Sequence, residues 1–396
     1  MIPHWRQQFN QRYRPEKYDR FLAVLEARCG TPVRFRNSET PCFLPESLVK
    51  LLVETSRQIL HQLFANAAAT QASRQAVPQQ FCVPGESPHP LFVQADFGLV
   101  RLDSGAIEPR LVEIQGFPSL YAFQLELSRA YREVHELDDS LHSLPGGLSE
   151  EEYQNMFRQA VLGGHNPRHV VLLEIDPMDQ KTLPDFLLTS RLCGIPVVNL
   201  MEVCREGRQL FYRAEGKNVP IHRIYNRVIV DELLRKQLHP PFDFRDDLDV
   251  EWAGHPNWFF RLSKFSLPFI DHPFVPRAQF LHLVQQLPAD LENFVLKPLF
   301  SFSGLGVLIG PTADQIAAIP AERRSEYLLQ QRIRFTPLIN TPAGITQAEV
   351  RVMLIWEEEP VAVNLLLRTG RGAMMGVDQN RDQTWVGASA AFIEPA

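Results

Sequence analysis

The 396-residue chain reads as an α/β protein built in lobes, and three features of the sequence carry that reading. Between residues 170 and 229 short apolar runs alternate with helical stretches. Val170-Val171-Leu172-Leu173-Glu174-Ile175 is strand, Leu183 to Cys193 helix, Ile195-Pro196-Val197-Val198-Asn199-Leu200 strand, and Ile221 to Ile229 strand again. Strands separated by short helices predict a small parallel sheet. Residues 91–117 read as a hairpin, with Leu91-Phe92-Val93 and Gly98 to Leu102 leading into a turn at Asp103-Ser104-Gly105 and Leu111-Val112-Glu113-Ile114 returning. Residues 277–396 alternate strands and helices around a loop rich in glycine.

The N-terminal 90 residues predict a helical region and connector. Phe21 to Leu25 and Leu48 to Val53 place apolar residues at helical spacing, and Pro45-Glu46-Ser47 marks the start of the second helix. Alanine, glutamine and then Pro78, Pro84, Pro88 and Pro90 predict a loop over 66–90. Three further units follow: 91–160 with the hairpin and a helix from about Tyr121 to Leu137, 161–240 with the small parallel sheet, and 241–396. The stretch 238–276 is dense in Pro and aromatic residues and is expected to wrap over its neighbours.

Composition excludes several classes of partner. Net charge is −6, and no long run of Lys and Arg occurs, which argues against nucleic acid. The N-terminus Met1-Ile2-Pro3-His4-Trp5-Arg6 has no apolar signal core, and nothing approaches the roughly 18 uninterrupted apolar residues of a membrane span. The five cysteines (Cys29, Cys42, Cys82, Cys193, Cys204) are odd in number and scattered, so neither a zinc site nor a disulfide framework is expected. A reducing cytoplasm is the expected setting.

Two segments carry the chemistry. In the first, the apolar strand Phe294-Val295-Leu296-Lys297-Pro298 ends in one lysine, and a short loop with Gly304 and Gly306 leads to Val307-Leu308-Ile309. A lysine supplies a point charge, and glycines let backbone N–H groups approach an anion. Read alone, the segment is equally a hairpin with a surface lysine. In the second, Glu113 and Gln115 are two apart on a strand and share a face, and Asp96 on the preceding strand is placed to join them. Two carboxylates and an amide oxygen suit Mg²⁺. Asp96 as a turn former and Glu113 as a solvent-facing residue are the plainer readings.

Together these segments resemble the circularly permuted ATP-grasp ligases, the eukaryotic-type glutathione synthetases first and the glutathionylspermidine synthetases more distantly. The resemblance rests on Asp96 with Leu111-Val112-Glu113-Ile114-Gln115, on Phe294 to Pro298, on Tyr327-Leu328-Leu329-Gln330-Gln331-Arg332-Ile333, and on Leu366-Leu367-Arg368-Thr369. The metal strand precedes the lysine loop, which is the permuted order. The resemblance implies an ATP-grasp-like fold and an ATP-dependent carboxylate–amine ligase with Mg²⁺, small-molecule carboxylate and amine substrates, and a homodimer. It assigns Lys297 and Lys264 to the phosphates of ATP, with Ser303, Gly304 and Gly306 closing over them. Gln330, Gln331 and Ile333 fall in the adenine hinge, Glu349 faces the nucleotide, and Asp96, Glu113 and Gln115 hold Mg²⁺. Lys297 and Arg368 carry the catalytic charge, and Arg368 also binds a substrate carboxylate or the acyl phosphate.

The chain departs from the family at several places. Gln115 stands for an asparagine, Ser301 for a loop carboxylate that binds metal, Gln94 for an arginine, Gly370 for a lysine, and Gln331 and Arg332 for Glu and Lys in the hinge. The changes allow a second reading, an ATP-binding module without ligase chemistry. Arg223 and Arg227 share one strand face with Tyr225 and are candidates for an anionic substrate, or else form a solvated face.

Overall fold

The computed structural model describes residues 1–301, 304–376, 380 and 382–395, without the side chains of Val230, Asp231 and Leu234. Helices α1 (Pro3–Arg12) and α2 (Pro15–Cys29) each begin with proline, whose fixed φ suits a first helical position. Strand β1 (Cys42–Pro45) leads into α3 (Glu46–Ala65) and α4 (Ala67–Gln75). The loop expected from residue 66 therefore begins as helix. Alanine favours helix, and the Asn66 side chain accepts the Ala69 N–H as a cap.

The hairpin is present as β2 (Phe92–Arg101) and β3 (Ile107–Gln115). Helix α5 (Tyr121–His135) follows, then α6 (Glu150–Leu162), which opens on a Ser149/Glu152 capping box. The α/β rhythm continues with β4 (Val170–Glu174), α7 (Leu183–Cys193) and β5 (Val197–Asn199). A meander of β6 (Cys204–Glu206), β7 (Gln209–Ala214) and β8 (Lys217–Ile221) separates these from β9 (Arg223–Asn226). Short helices α8 (Val230–Arg235) and α9 (Trp258–Arg261) flank β10 (Glu251–Ala253).

The last third holds β11 (Ala278–Phe280), β12 (Phe294–Pro298), β13 (Leu308–Ile309), α10 (Ala313–Ala317) and β14 (Tyr327–Gln331). It closes with β15 (Ile339–Thr341) and three long strands, β16 (Gly344–Trp356), β17 (Pro360–Gly370) and β18 (Gly387–Glu394). Helix–strand alternation thus ends earlier than the sequence predicts. The long β-rich runs from Val350 to Trp356 and Val361 to Leu367 pair with each other directly.

Among the described residues the largest sheet has seven strands in the order β1-β18-β17-β16-β2-β3, with β15 paired to β16. It is antiparallel except at β1, which runs parallel to β18. A four-stranded sheet, β10-β9-β4-β5, is parallel throughout, as the alternation predicts, and gains β10 from the stretch expected to wrap. A second four-stranded sheet, β11-β14-β12-β13, is antiparallel and carries Lys297.

One apolar layer packs α5, α6 and the parallel sheet against the large sheet through Phe92, Tyr121, Phe157 and Tyr225. The Tyr121 hydroxyl bonds the Val93 and Leu354 carbonyls at 3.0 and 2.9 Å. The other layer places α3 and the Lys264–Phe269 turn over Val93, Ala95, Val350 and Val352. Among the described residues no helix is long and apolar enough to cross a membrane.

Candidate functional site

Where the large sheet meets the Lys297 sheet lies a cavity of about 330 Å³. Period-2 alternation builds its floor. On β16, Ala348, Val350 and Val352 face the core, and Glu349 and Arg351 take the opposite face. Across β16 and β17 Glu349 opposes Arg368, and across β16 and β2 Arg351 opposes Asp96. Asp96 in turn opposes Glu113 on β3. Acid and base therefore face each other directly at two of these three cross-strand pairs, an arrangement that stabilises a sheet.

Asp96 is fully buried, and both its oxygens are engaged. Arg351 Nε and Nη2 donate to it at 2.6 and 2.7 Å, and Arg368 Nη2 at 2.5 Å. Burial alone would raise the Asp96 pKa, but the two guanidinium groups outweigh it and hold the carboxyl below its ordinary value. Glu349, which also pairs with Arg368, is raised instead: burial and the charges of Asp96 and Glu113 outweigh Arg368. Burial pulls Arg368 down, yet Glu349, Asp96 and Glu113 push it above its usual range. Its Nε is buried without a hydrogen-bond partner among the described residues.

The two lysines enter from separate elements. Lys297, at the end of β12, is 7% exposed and donates from Nζ to the Val112 carbonyl at 2.9 Å. That carbonyl is free for it because the β2–β3 register shifts here: Asp96 opposes Glu113 but Phe97 opposes Leu111, so Val112 is the extra residue of a bulge. Burial pushes the Lys297 ammonium down to about 8, with Glu113 opposing and Lys264 assisting. Lys264, at the start of the Lys264–Phe269 turn, lies 3.5 Å from Glu113 Oε2 and donates to the Ser301 carbonyl at 2.6 Å.

An apolar slot opens beside this charged floor, formed by Val295, Val307, Ile309, Ile333 and Phe335. Phe335 lies against Gly98, where a Cβ would fall 2.6 Å from the ring, so glycine is required for the contact. In the lysine loop Gly304 and Gly306 both have φ of 73°, and a Cβ on Gly306 would meet Pro298 at 2.9 Å.

The cavity thus brings together Glu113, Gln115, Lys264, Lys297, Gly304, Gln330, Gln331, Ile333, Glu349 and Arg368. Gly306, in the same loop, does not line it. Asp96 sits beneath the floor and is separated from the cavity by Arg351 and Arg368, so of the three residues expected at a metal only Glu113 and Gln115 line the space. Among the described residues no cluster of three His, Cys, Asp or Glu side chains is arranged to hold a metal by itself. Ser303 lies outside the described residues.

Arg223 is drawn elsewhere. Its guanidinium donates to the Val161 and Ala160 carbonyls at 3.0 Å each, at the end of α6, and to Glu251 at 2.8 Å. Arg227 follows β9 and does not line the cavity. It is buried between the rings of Phe117 and Phe186, 5.1 and 5.3 Å away, with Nε and Nη1 unpartnered among the described residues. Nearby Glu174 is raised to about 8 by burial, against the pull of Arg227.

Arg351 is the site residue that motif reading missed. Its signal is the spacing of Glu349 and Arg351, two apart in an otherwise apolar strand. Ser119, Phe259 and the 373–376 segment also line the cavity without a motif to announce them.

Chemically, two lysines beside a glycine loop can hold a polyanion, the slot a flat ring, and Glu113 with Gln115 a hard cation. Neither a protein-family model nor a curated protein matches this chain. Among solved structures it resembles the apo form of a glutathione synthetase-like effector (GSS30) from Globodera pallida. The two share 12% sequence identity and a TM-score of 0.60, with 100% of this chain and 98% of the other covered. The chain therefore has a mixed α/β fold of the glutathione synthetase-like kind.

Proposed function

We propose that the chain is an ATP-grasp carbon–nitrogen ligase, joining a carboxylate and an amine at the expense of ATP. The observation that supports this best is the convergence of Lys264, Lys297, Glu113, Glu349 and Arg368, from five separate elements, on one cavity with an apolar slot. In this reading the adenine ring lies between Val295, Ile309 and Ile333, beside Gln330 and Gln331. Lys297 and Lys264 neutralise the phosphates, and Gly304 and Gly306 let the loop backbone approach them. Glu113 and Gln115 hold Mg²⁺, which supplies charge neutralisation at the phosphate oxygens. Few protein ligands suffice, because Mg²⁺ in such sites shares its shell with phosphate and water.

A substrate carboxylate oxygen then attacks the γ-phosphorus. The bond to the β-phosphate oxygen breaks, and ADP leaves. The amine nitrogen attacks the acyl carbon, the bond to phosphate breaks, and an amide, inorganic phosphate and one proton are released. Arg368 is suited to the developing negative charge, since its Nε has no partner among the described residues. Arg227, buried outside the cavity, and Arg223, held at the end of α6, take no part in this reading.

A second reading is an ATP-binding module without ligase chemistry. Asp96, closed off by Arg351 and Arg368, and Ser301 in the loop favour it, because each removes a carboxylate from the metal set. Incubation with ATP, Mg²⁺ and a panel of amino acids, dicarboxylates and polyamines separates the two. The ligase reading expects ADP and phosphate in equal amounts, dependent on both a carboxylate and an amine. Saturable ATP binding with no release under any pair would contradict it.

A further inference from the structure

Behind the hinge wall of the cavity runs a second depression of about 800 Å³, and its lining is strongly basic. It shares Gln331, Arg332 and Ile333 with the first cavity. Five arginines face it: Arg101 at the end of β2, Arg110 on β3, Arg277 before β11, and Arg332 and Arg334 after β14. The lining acid is Asp271. This is a local excess of positive charge on a chain whose net charge is −6.

The guanidinium groups are largely uncompensated. Among the described residues Arg110 has a carboxylate partner, Glu108 at 2.8 Å, and stacks over the Phe274 ring 5.5 Å away. Arg332 and Arg334 are steadied by neutral acceptors, the Glu292 carbonyl at 3.4 Å and Asn293 Oδ1 at 2.7 Å, which orient them without cancelling their charge. Arg101 and Arg277 are exposed and form no ion pair among the described residues. Grouping like charges costs energy unless a counter-charge arrives, and a concave low-dielectric wall strengthens the field it would meet. Ile270, Pro273, Val275 and Pro276 provide that wall. The volume is that of a small-molecule site.

We propose that this groove binds a small polyanion carrying two or more phosphate or carboxylate groups, and that Arg277 and Arg334 are its principal contacts. The inference goes beyond the ligase reading and does not depend on it. Because Arg332 borders both spaces, an anion in the groove is placed to alter occupancy of the first cavity.

The test is calorimetric titration of the full chain with tripolyphosphate and, separately, with citrate. Three proteins are compared: wild type, the Arg277→Ala/Arg334→Ala double variant, and Lys297→Met, which leaves the groove intact. Both substituted arginines are exposed, so the fold is expected to hold. Saturable binding by wild type and Lys297→Met, weakened ten-fold or more in the double variant, supports the proposal. The tighter titrant then tells phosphate from carboxylate. Absence of saturable binding, unchanged affinity in the double variant, or loss of binding in Lys297→Met would each overturn it, the last by placing the anion in the lysine cavity.

Discussion

Asp96 is the residue whose chemistry the fold changes most. By type and position it suits a metal site, yet in place it is a buried anchor between Arg351 and Arg368. A carboxylate with no exposed surface loses several kcal/mol of hydration, which only close cationic partners can offset. Replacing Arg351 with Met removes two of the three donors to Asp96 and leaves Arg368, so it should cost roughly 1.5–3 kcal/mol in urea unfolding. Arg351→Met combined with Asp96→Leu should recover much of the loss. Additive effects of the two substitutions would contradict the pairing. Lys297 and Glu113 were legible as site residues because each ends or occupies a strand in a recognisable pattern. Arg351 was legible only as half of an alternation, and Arg223 was misleading because exposure and helix-end bonding leave the same trace in sequence.

Among the elements, the β2–β3 hairpin and the parallel strands were readable from period-2 apolar runs and turn residues. The β6–β8 meander was not, since its strands are three to six residues long and mostly polar on one face. Nor does any sequence rule announce the Val112 bulge that frees a carbonyl for Lys297. Two elements carry a consequence for acid stability. His135, at the end of α5, is buried against the Phe9 ring 4.7 Å away. His255, ahead of α9, bonds the Pro84 carbonyl at 3.1 Å through Nε2 and accepts the Asn257 N–H at Nδ1. That geometry requires a neutral ring with its proton on Nε2. Burial pushes both groups down from 6.5 to about 4. The unfolded chain takes up these protons before the folded chain does, so their contribution is present above 6.5 and lost as pH falls toward 4. Glu174, held at about 8, gains stability over the same interval, so the histidine contribution is read as a difference between proteins: from about pH 7 to pH 5 wild type should lose about 2 kcal/mol more than His255→Gln in urea unfolding. A difference between the two proteins that stays constant over that interval would contradict the assignment.

At the scale of the whole molecule, chain order was the most readable feature. The Asp96/Glu113 hairpin comes early and the Arg368 strand late, an order that the large sheet makes sense of: β2 and β3 lie at one side of β16 and β17 although about 250 residues separate them along the chain. Long-range pairing of this kind leaves no local signature, so its register had to come from the structure. The cavity then depends on two sheets and a turn meeting at one point, and Lys297 is the residue on which its proposed use turns. Burial holds that lysine at about 8, which means the unliganded fold bears a cost for keeping it charged. The most direct measurement is calorimetric titration of ATP with Mg²⁺ into wild type and Lys297→Met, with unfolding midpoints recorded alongside. The account predicts one saturable site in wild type, loss of that site in the variant, and a variant at least as stable as wild type when no ligand is present. A wild type that binds no ATP, or a Lys297→Met variant that binds it unchanged, would contradict the account.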